Sequence, residues 1–583
     1  MGLEFTIHPD MNETPNTLTR EPRKFLPEDF KITNWDALEP YFQELSDREI
    51  TSADQLRSWF RERSELEAVV SEDLAWRYIN MTCDTSNETY QQSYQFFIAE
   101  IQPKIAPFSN ELNKKALKST FWEEIKEEGY AILHRTLETE LKIFREQNIP
   151  LFTEIQTKSK EYGTISGAMM VELDGQEYTL QQASVRLQLP DRNKRETAYH
   201  KIQERRLQDK DKLDDLFNKL ISLRHQVAIN ADFGNFRDYM FAAMGRFDYT
   251  PDDCFAFHDS VANEVVPFLN SMSEERKSLL KVSPLRPWDK AVDPTGREPL
   301  KPFDGSTDLT DKTIECFRRL DPFLGKCLTI MKDMGHLDLE SRKGKAPGGY
   351  NYPLAEIGVP FIFMNATSTL RDMITILHEG GHAIHSFVTR DLELGNFKNT
   401  PSEVAELASM TMELISMDHW DVYFDNPEDL KRAKKEHLEQ ILETLPWVAT
   451  IDKFQHWIYE NTEHNIADRK KEWNNIFNMF SDDITDWSSL QTAKDYLWQK
   501  QLHLYEVPFY YIEYGMAQLG ALAVWKNFKQ DPVKGLENYL SALKLGYKRS
   551  IPEIYEAANI KFDFSKEYIC ELMQFVRAEL EAL

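Results

Sequence analysis

Glycine is scarce in this 583-residue chain, at 22 residues, and a chain poor in glycine is poor in tight left-handed turns. That weighs against an all-β sandwich or a repeat array built on glycine-rich loops. Cysteine is scarcer still. The five cysteines (Cys83, Cys254, Cys316, Cys327 and Cys570) are odd in number, widely scattered and include no C-x-x-C pair. A disulfide framework or a multi-cysteine metal knot is therefore not expected, and they read as reduced, mostly buried thiols in a cytoplasmic protein. Apolar runs are short. The longest near the C-terminus, Leu519 to Trp525, falls far below the ~20 residues a membrane helix needs. Basic residues are outnumbered 69 to 96, for a net charge of −27. Without a basic footprint to displace counterions, neither nucleic acid nor an anionic membrane is an expected partner. The opening residues Met1 to Phe5 carry neither the charged start nor the apolar core of a secretion signal.

What the chain has instead is helical patterning. From Trp35 to Leu151 apolar residues recur at helical spacing, as in Leu38, Tyr41, Phe42 and Leu45. Near the C-terminus Tyr568, Ile569, Leu572, Met573, Val576 and Leu580 form one stripe. Strand signals are few. Asp174-Gly175 between Met169–Leu173 and Gln176–Leu180 predicts a hairpin, because Asp-Gly suits a type I′ turn. Pro360 to Asn365 predicts a short apolar strand. Prolines and glycines between Ser283 and Asp308 mark an irregular connection. The expected class is mainly α, with an N-terminal helical region over 1–200 that includes a hairpin near 169–180, and a second domain over 201–583.

The chemistry gathers in His378-Glu379-Gly380-Gly381-His382. Positions 378 and 382 are one helical turn apart, so both imidazoles face one ion. Glu379 lies beside the first histidine and can reach a water at the fourth position. Thr369 and Asp372 form a capping box that opens this helix. Gly380 and Gly381 in a helix interior each cost about 1 kcal/mol relative to Ala, so they imply close approach by a substrate backbone or a neighbouring helix. The 360–365 strand ahead of the helix reads as an edge that an extended peptide could join.

A third ligand must come from elsewhere. In Thr400-Pro401-Ser402-Glu403-Val404-Ala405-Glu406-Leu407, Thr400, Pro401 and Glu403 read as a capping box, which gives Glu403 a structural role. Glu406 falls in the apolar run that follows, where a carboxylate wants a cation, so Glu406 is the expected ligand. His385 shares the histidine helix face but lies about 10 Å along it from His378, too far for one ion to bind both. It reads as packing or support. Further on, His503 precedes Pro508-Phe509-Tyr510-Tyr511-Ile512-Glu513-Tyr514. Tyr505 and Tyr510 read as core. Tyr514, and less so Tyr511, are open to either a core role or donation to a developing oxyanion.

Together the 378–387 run, Pro401–Glu406 and Pro508–Tyr514 resemble the oligoendopeptidase F group, zinc peptidases related to thimet oligopeptidase. The resemblance covers roughly residues 165 to 583. It implies a two-lobed helical ellipsoid with a deep central channel and a small sheet beside the zinc helix. It further implies one Zn2+ per chain on His378, His382 and Glu406, with Glu379 as general base. His503 and Tyr514 would stabilise the transition state, with Tyr511 alongside. Thimet-like relatives place a glycine-rich loop before the tyrosines, whereas this chain has Leu504 to Phe509.

The expected activity is hydrolysis of internal bonds in short unstructured peptides. Two alternatives remain at this stage. One is a zinc exopeptidase of the metallocarboxypeptidase kind, which would trim peptides stepwise. The other is a non-catalytic helical peptide-binding protein, which an intact Glu379 disfavours because a structural zinc site needs no base.

Overall fold

Small polar residues open the helices where the sequence places them. Ser52 accepts from Gln55 N at the head of helix Ala53–Cys83, and Asn235 accepts from Asp238 N ahead of Phe236–Ala243. Each satisfies a donor that the first helical turn leaves without a partner. The structure is a computed structural model and describes residues 17–583. Most of these are helical, as the patterning predicts. Five strands complete the described residues: β1 Met170–Leu173, β2 Gln176–Thr179, β3 Leu337–Glu340, β4 Tyr350–Tyr352 and β5 Phe361–Ala366. No described helix is long and apolar enough to cross a membrane.

The chain divides into two units, each gathered from three separate stretches. The first draws on Met1–Lys142, Lys301–Lys434 and Gly520–Phe562. One of its cores joins Leu38, Phe42, Trp59 and Leu66 from the N-terminal helices to Phe397 from far along the chain. Its sheet has the order β3-β5-β4, with β5 parallel to β3 and antiparallel to β4. The 360–365 segment is thus the central strand and not the edge that sequence suggests. Phe361 to Met364 are all buried, and a run apolar on both faces belongs where both faces and both edges are covered. The edge strand on the antiparallel side is β4.

The second unit draws on Ile143–Leu300, Lys435–Leu519 and Asp563–Leu583. It holds the β1–β2 hairpin, where Asp174 and Gly175 take φ of 54° and 78°, the left-handed pair a type I′ turn requires. Val171 and Leu173 from β1 pack with Ala183, Ala198 and Ile202. Helix Lys566–Ala582 buries Tyr568, Ile569, Leu572, Met573 and Val576 and packs on helix Pro251–Glu264.

Candidate metal centre

Helix Leu370–Thr389 carries the two histidines and opens on the Thr369/Asp372 capping box. It packs against helix Ser402–Ile415, and both belong to the first unit. The packing brings ligand atoms of His378, His382 and Glu406 within 4.8 Å of one another. Glu406 Oε2 lies 3.3 Å from His378 Nε2 and 3.7 Å from His382 Nε2. Ser409 Oγ, one turn on, donates to the same Oε2 at 3.1 Å. Behind His378, Glu413 Oε1 meets Nδ1 at 2.6 Å. Glu413 belongs to no motif in the sequence. The available signal was its place seven residues after Glu406, which puts both carboxylates on one helix face.

The electrostatics fit a cation. Burial pulls the His378 pKa down, but hydrogen bonds to Glu406 and Glu413 and their charges outweigh it and hold it well above the ordinary value. Burial lowers His382 to about 4 against the opposing charge of Glu406, leaving a neutral imidazole. Glu379 is pushed up to about 7 by burial, with His378 opposing and Glu406 and Glu413 adding. Glu406 and Glu413 thus favour positive charge beside them. A divalent ion among two imidazole nitrogens and one carboxylate oxygen would supply it.

Gly380 and Gly381 meet neighbouring elements of the protein. A Cβ on Gly380 would fall 2.6 Å from Phe317 Cζ, and one on Gly381 2.6 Å from both Ala408 O and Ser409 Cα. Only glycine lets the two helices approach closely enough for Glu406 to reach the histidines. Gly381→Ala is therefore expected to destabilise the fold by about 1–3 kcal/mol, the range for overpacking, because backbone cannot step aside as a side chain can. Chemical denaturation with an unchanged m-value measures it.

The capping box expected from Thr400 and Glu403 is absent. Helix Ser402–Ile415 begins one residue later than expected, with Pro401 as N-cap and no side-chain cap. Glu403 is buried, and its carbonyl accepts from Tyr555 Oη at 3.1 Å. His385 is also buried, and burial lowers its pKa to about 3. It lies outside the cluster.

His503, Tyr511 and Tyr514 come together in the second unit. The His503 ring stands 4.8 Å from Tyr511 and 5.8 Å from Tyr514, and Gln501 Nε2 lies 2.7 Å from its Nδ1. Tyr505 is buried and stacks on Tyr162 at 4.3 Å. Tyr510, expected in the core, is half-buried and faces His503 at 6.2 Å and Tyr514 at 5.3 Å. The departure begins at Phe509, whose φ of 68° breaks the helical register just before Tyr510. Arg246 holds that turn, donating to Phe509 O and pairing with buried Glu513 at 2.9 Å.

The family model of peptidase family M3 matches residues 185–298 and 331–574, and that of the peptidase M3 N-terminal domain matches 25–144. The chain belongs to peptidase family M3. The matched range of this M3 member includes both histidines, Glu379, Glu406, Glu413 and the aromatic cluster. It is 22% identical over 341 residues to the chromosomal oligoendopeptidase F of Lactococcus lactis subsp. cremoris, a match covering 58% of this chain and 55% of the relative. An oligoendopeptidase F homolog of Borreliella burgdorferi is 24% identical over 291 residues, 49% of this chain and 48% of that one. The chain thus spans about half the length of the curated relatives it matches. Among solved structures, PZ peptidase A with inhibitor 2 superposes with a TM-score of 0.88 at 26% identity, over 96% of this chain and 99% of that one.

Proposed function

We propose that this M3 family member is a zinc-dependent oligoendopeptidase that cuts internal bonds of short, unstructured peptides in the cytoplasm. The observation that carries the reading is the convergence of His378, His382 and Glu406, with Glu379 next to His378 on the histidine helix. Oligoendopeptidase F among the relatives supports it. One zinc ion held at this centre by those three ligands would polarise the scissile carbonyl and lower the pKa of water towards ~7.

The remaining steps belong to the chain's own groups. Glu379 takes the proton of the attacking water and passes it to the leaving amine, a task suited to a carboxylate placed next to His378 on the histidine helix. Glu413 holds the Nδ1 proton of His378, which directs the Nε2 lone pair to the ligand side. His503 and Tyr514 donate to the developing oxyanion, and Tyr511 supports them. Strand β4 is an edge strand of its sheet, and its Asn351 donates to the Glu379 carbonyl at 3.1 Å. An extended peptide pairing with that edge would lie beside the base.

Tyr514→Phe is expected to lower kcat by about 100-fold or more, the scale of one lost oxyanion donor, with metal content unchanged. Steady-state kinetics beside elemental analysis measures both, and loss of metal would make the tyrosine structural.

Mass spectrometry of a mixed peptide library, with a folded protein added, tests the function. Internal cuts confined to the short peptides, abolished by a chelator and restored by zinc, are expected. Stepwise loss of terminal residues would instead identify an exopeptidase, and zinc binding without cleavage a binding protein.

A further inference from the structure

A second set of metal-type ligands lies in the second unit. Helix Pro251–Glu264 carries Cys254 and His258, one turn apart. Helix Pro427–Glu460 carries Asp452 and His456, again one turn apart. Ligand atoms of Cys254, Asp452 and His456 lie within 4.8 Å of one another. His258 Nε2 hydrogen-bonds Asp452 Oδ2 at 2.9 Å. The other histidine places its Nε2 3.2 Å from the same oxygen, yet without hydrogen-bond geometry.

All four side chains are essentially inaccessible, at 0–1% exposure. Phe255, Phe509 and Phe241 surround the His456 ring at 4.9, 5.5 and 6.1 Å. Inside this apolar wall, Asp452 Oδ1, His258 Nδ1 and both nitrogens of His456 have no hydrogen-bond partner. A buried network maintained for hydrogen bonding alone is normally satisfied throughout. Unsatisfied imidazole and carboxylate atoms gathered beside a thiol are what the ligands of a single ion look like, since donors around a tetrahedral ion stand roughly 3.3–3.8 Å apart. A buried carboxylate also favours a cation over any neutral partner.

We propose that Cys254, Asp452 and His456 bind a structural divalent cation of the zinc type, with His258 fixing the aspartate through Oδ2 so that Oδ1 turns to the ion. Thiolate, imidazole and carboxylate together select zinc over calcium or magnesium. The ion ties two helices whose ligands are far apart in sequence, within a wall that excludes substrate. A single cysteine suffices for this arrangement, which the absence of C-x-x-C pairs does not bear on.

The test removes the first centre so that the second is read alone. The full chain carrying His378→Ala and His382→Ala is purified with zinc and dialysed against a weak chelator. One zinc equivalent per chain by elemental analysis is expected, and none would overturn the proposal. Adding Cys254→Ser should remove that equivalent; its retention would place the ion elsewhere and also overturn the proposal. Since Cys254→Ser could disturb folding, the double variant is also loaded with cobalt(II). A thiolate-to-cobalt charge-transfer band is expected, and cobalt bound without that band would refute ligation by Cys254. Peptide cleavage enters none of these readouts, so the outcome is independent of the proposed peptidase activity.

Discussion

Glu379→Gln is expected to leave the metal centre loaded and the fold intact while turnover falls by about 10³-fold or more. The substitution is nearly isosteric, so the contacts of helix Leu370–Thr389 remain, as does the Asn351 hydrogen bond, which goes to the backbone carbonyl. What disappears is a site that can accept a proton. General base catalysis typically contributes 10²–10⁴-fold. The upper part of that range is expected here, because in the proposed mechanism the same carboxylate would serve twice, receiving the proton from water and returning it to the amine. The decisive comparison is kcat against bound metal in one preparation. Loss of turnover together with metal would assign Glu379 to ligation, and near wild-type turnover would remove it from the mechanism.

Glu406→Gln is expected to cost one metal equivalent relative to wild type. Losing a carboxylate that merely supports a ligand typically costs 10–100-fold in affinity, so losing one that touches the ion should exceed about 100-fold. Ser409 donates to Oε2 and can pair equally with the amide oxygen of glutamine, so the side chain should keep its place and the protein should stay folded. Affinity is measured by competition with a chromophoric chelator, alongside a thermal melt. Unchanged affinity would point to another carboxylate on this face, with Glu413 the first to examine, since it already contacts His378 at 2.6 Å.

The two variants differ in how far the sequence alone led to them. Glu379 and its flanking histidines are local: spacing of one and four residues on a helix, opened by a capping box, sets their geometry wherever the helix packs. Glu406 required an inference about burial, that a carboxylate inside an apolar run needs a cation. Glu413 escaped because its meaning depends on which histidine nitrogen it meets, and that contact spans two helices. Glu403 illustrates the opposite failure. Its capping pattern was complete in sequence, yet the helix starts a residue later and the side chain is buried.

Short-range physics therefore determined the mainly helical class, the Asp174-Gly175 hairpin, the C-terminal apolar stripe and the helix that carries His378 and His382, because each depends on backbone geometry within a few residues. Tertiary structure alone decided the rest. It made β5 the central strand of its sheet by covering both edges, which an apolar run does not specify by itself. It gave Gly380 and Gly381 their neighbours, Phe317 and the backbone of helix Ser402–Ile415, where sequence could say only that something comes close. It also gathered Cys254, Asp452 and His456 inside an aromatic wall. One-turn spacings of that kind recur on ordinary helices, and they become a candidate site only when packing removes the water that would otherwise satisfy them.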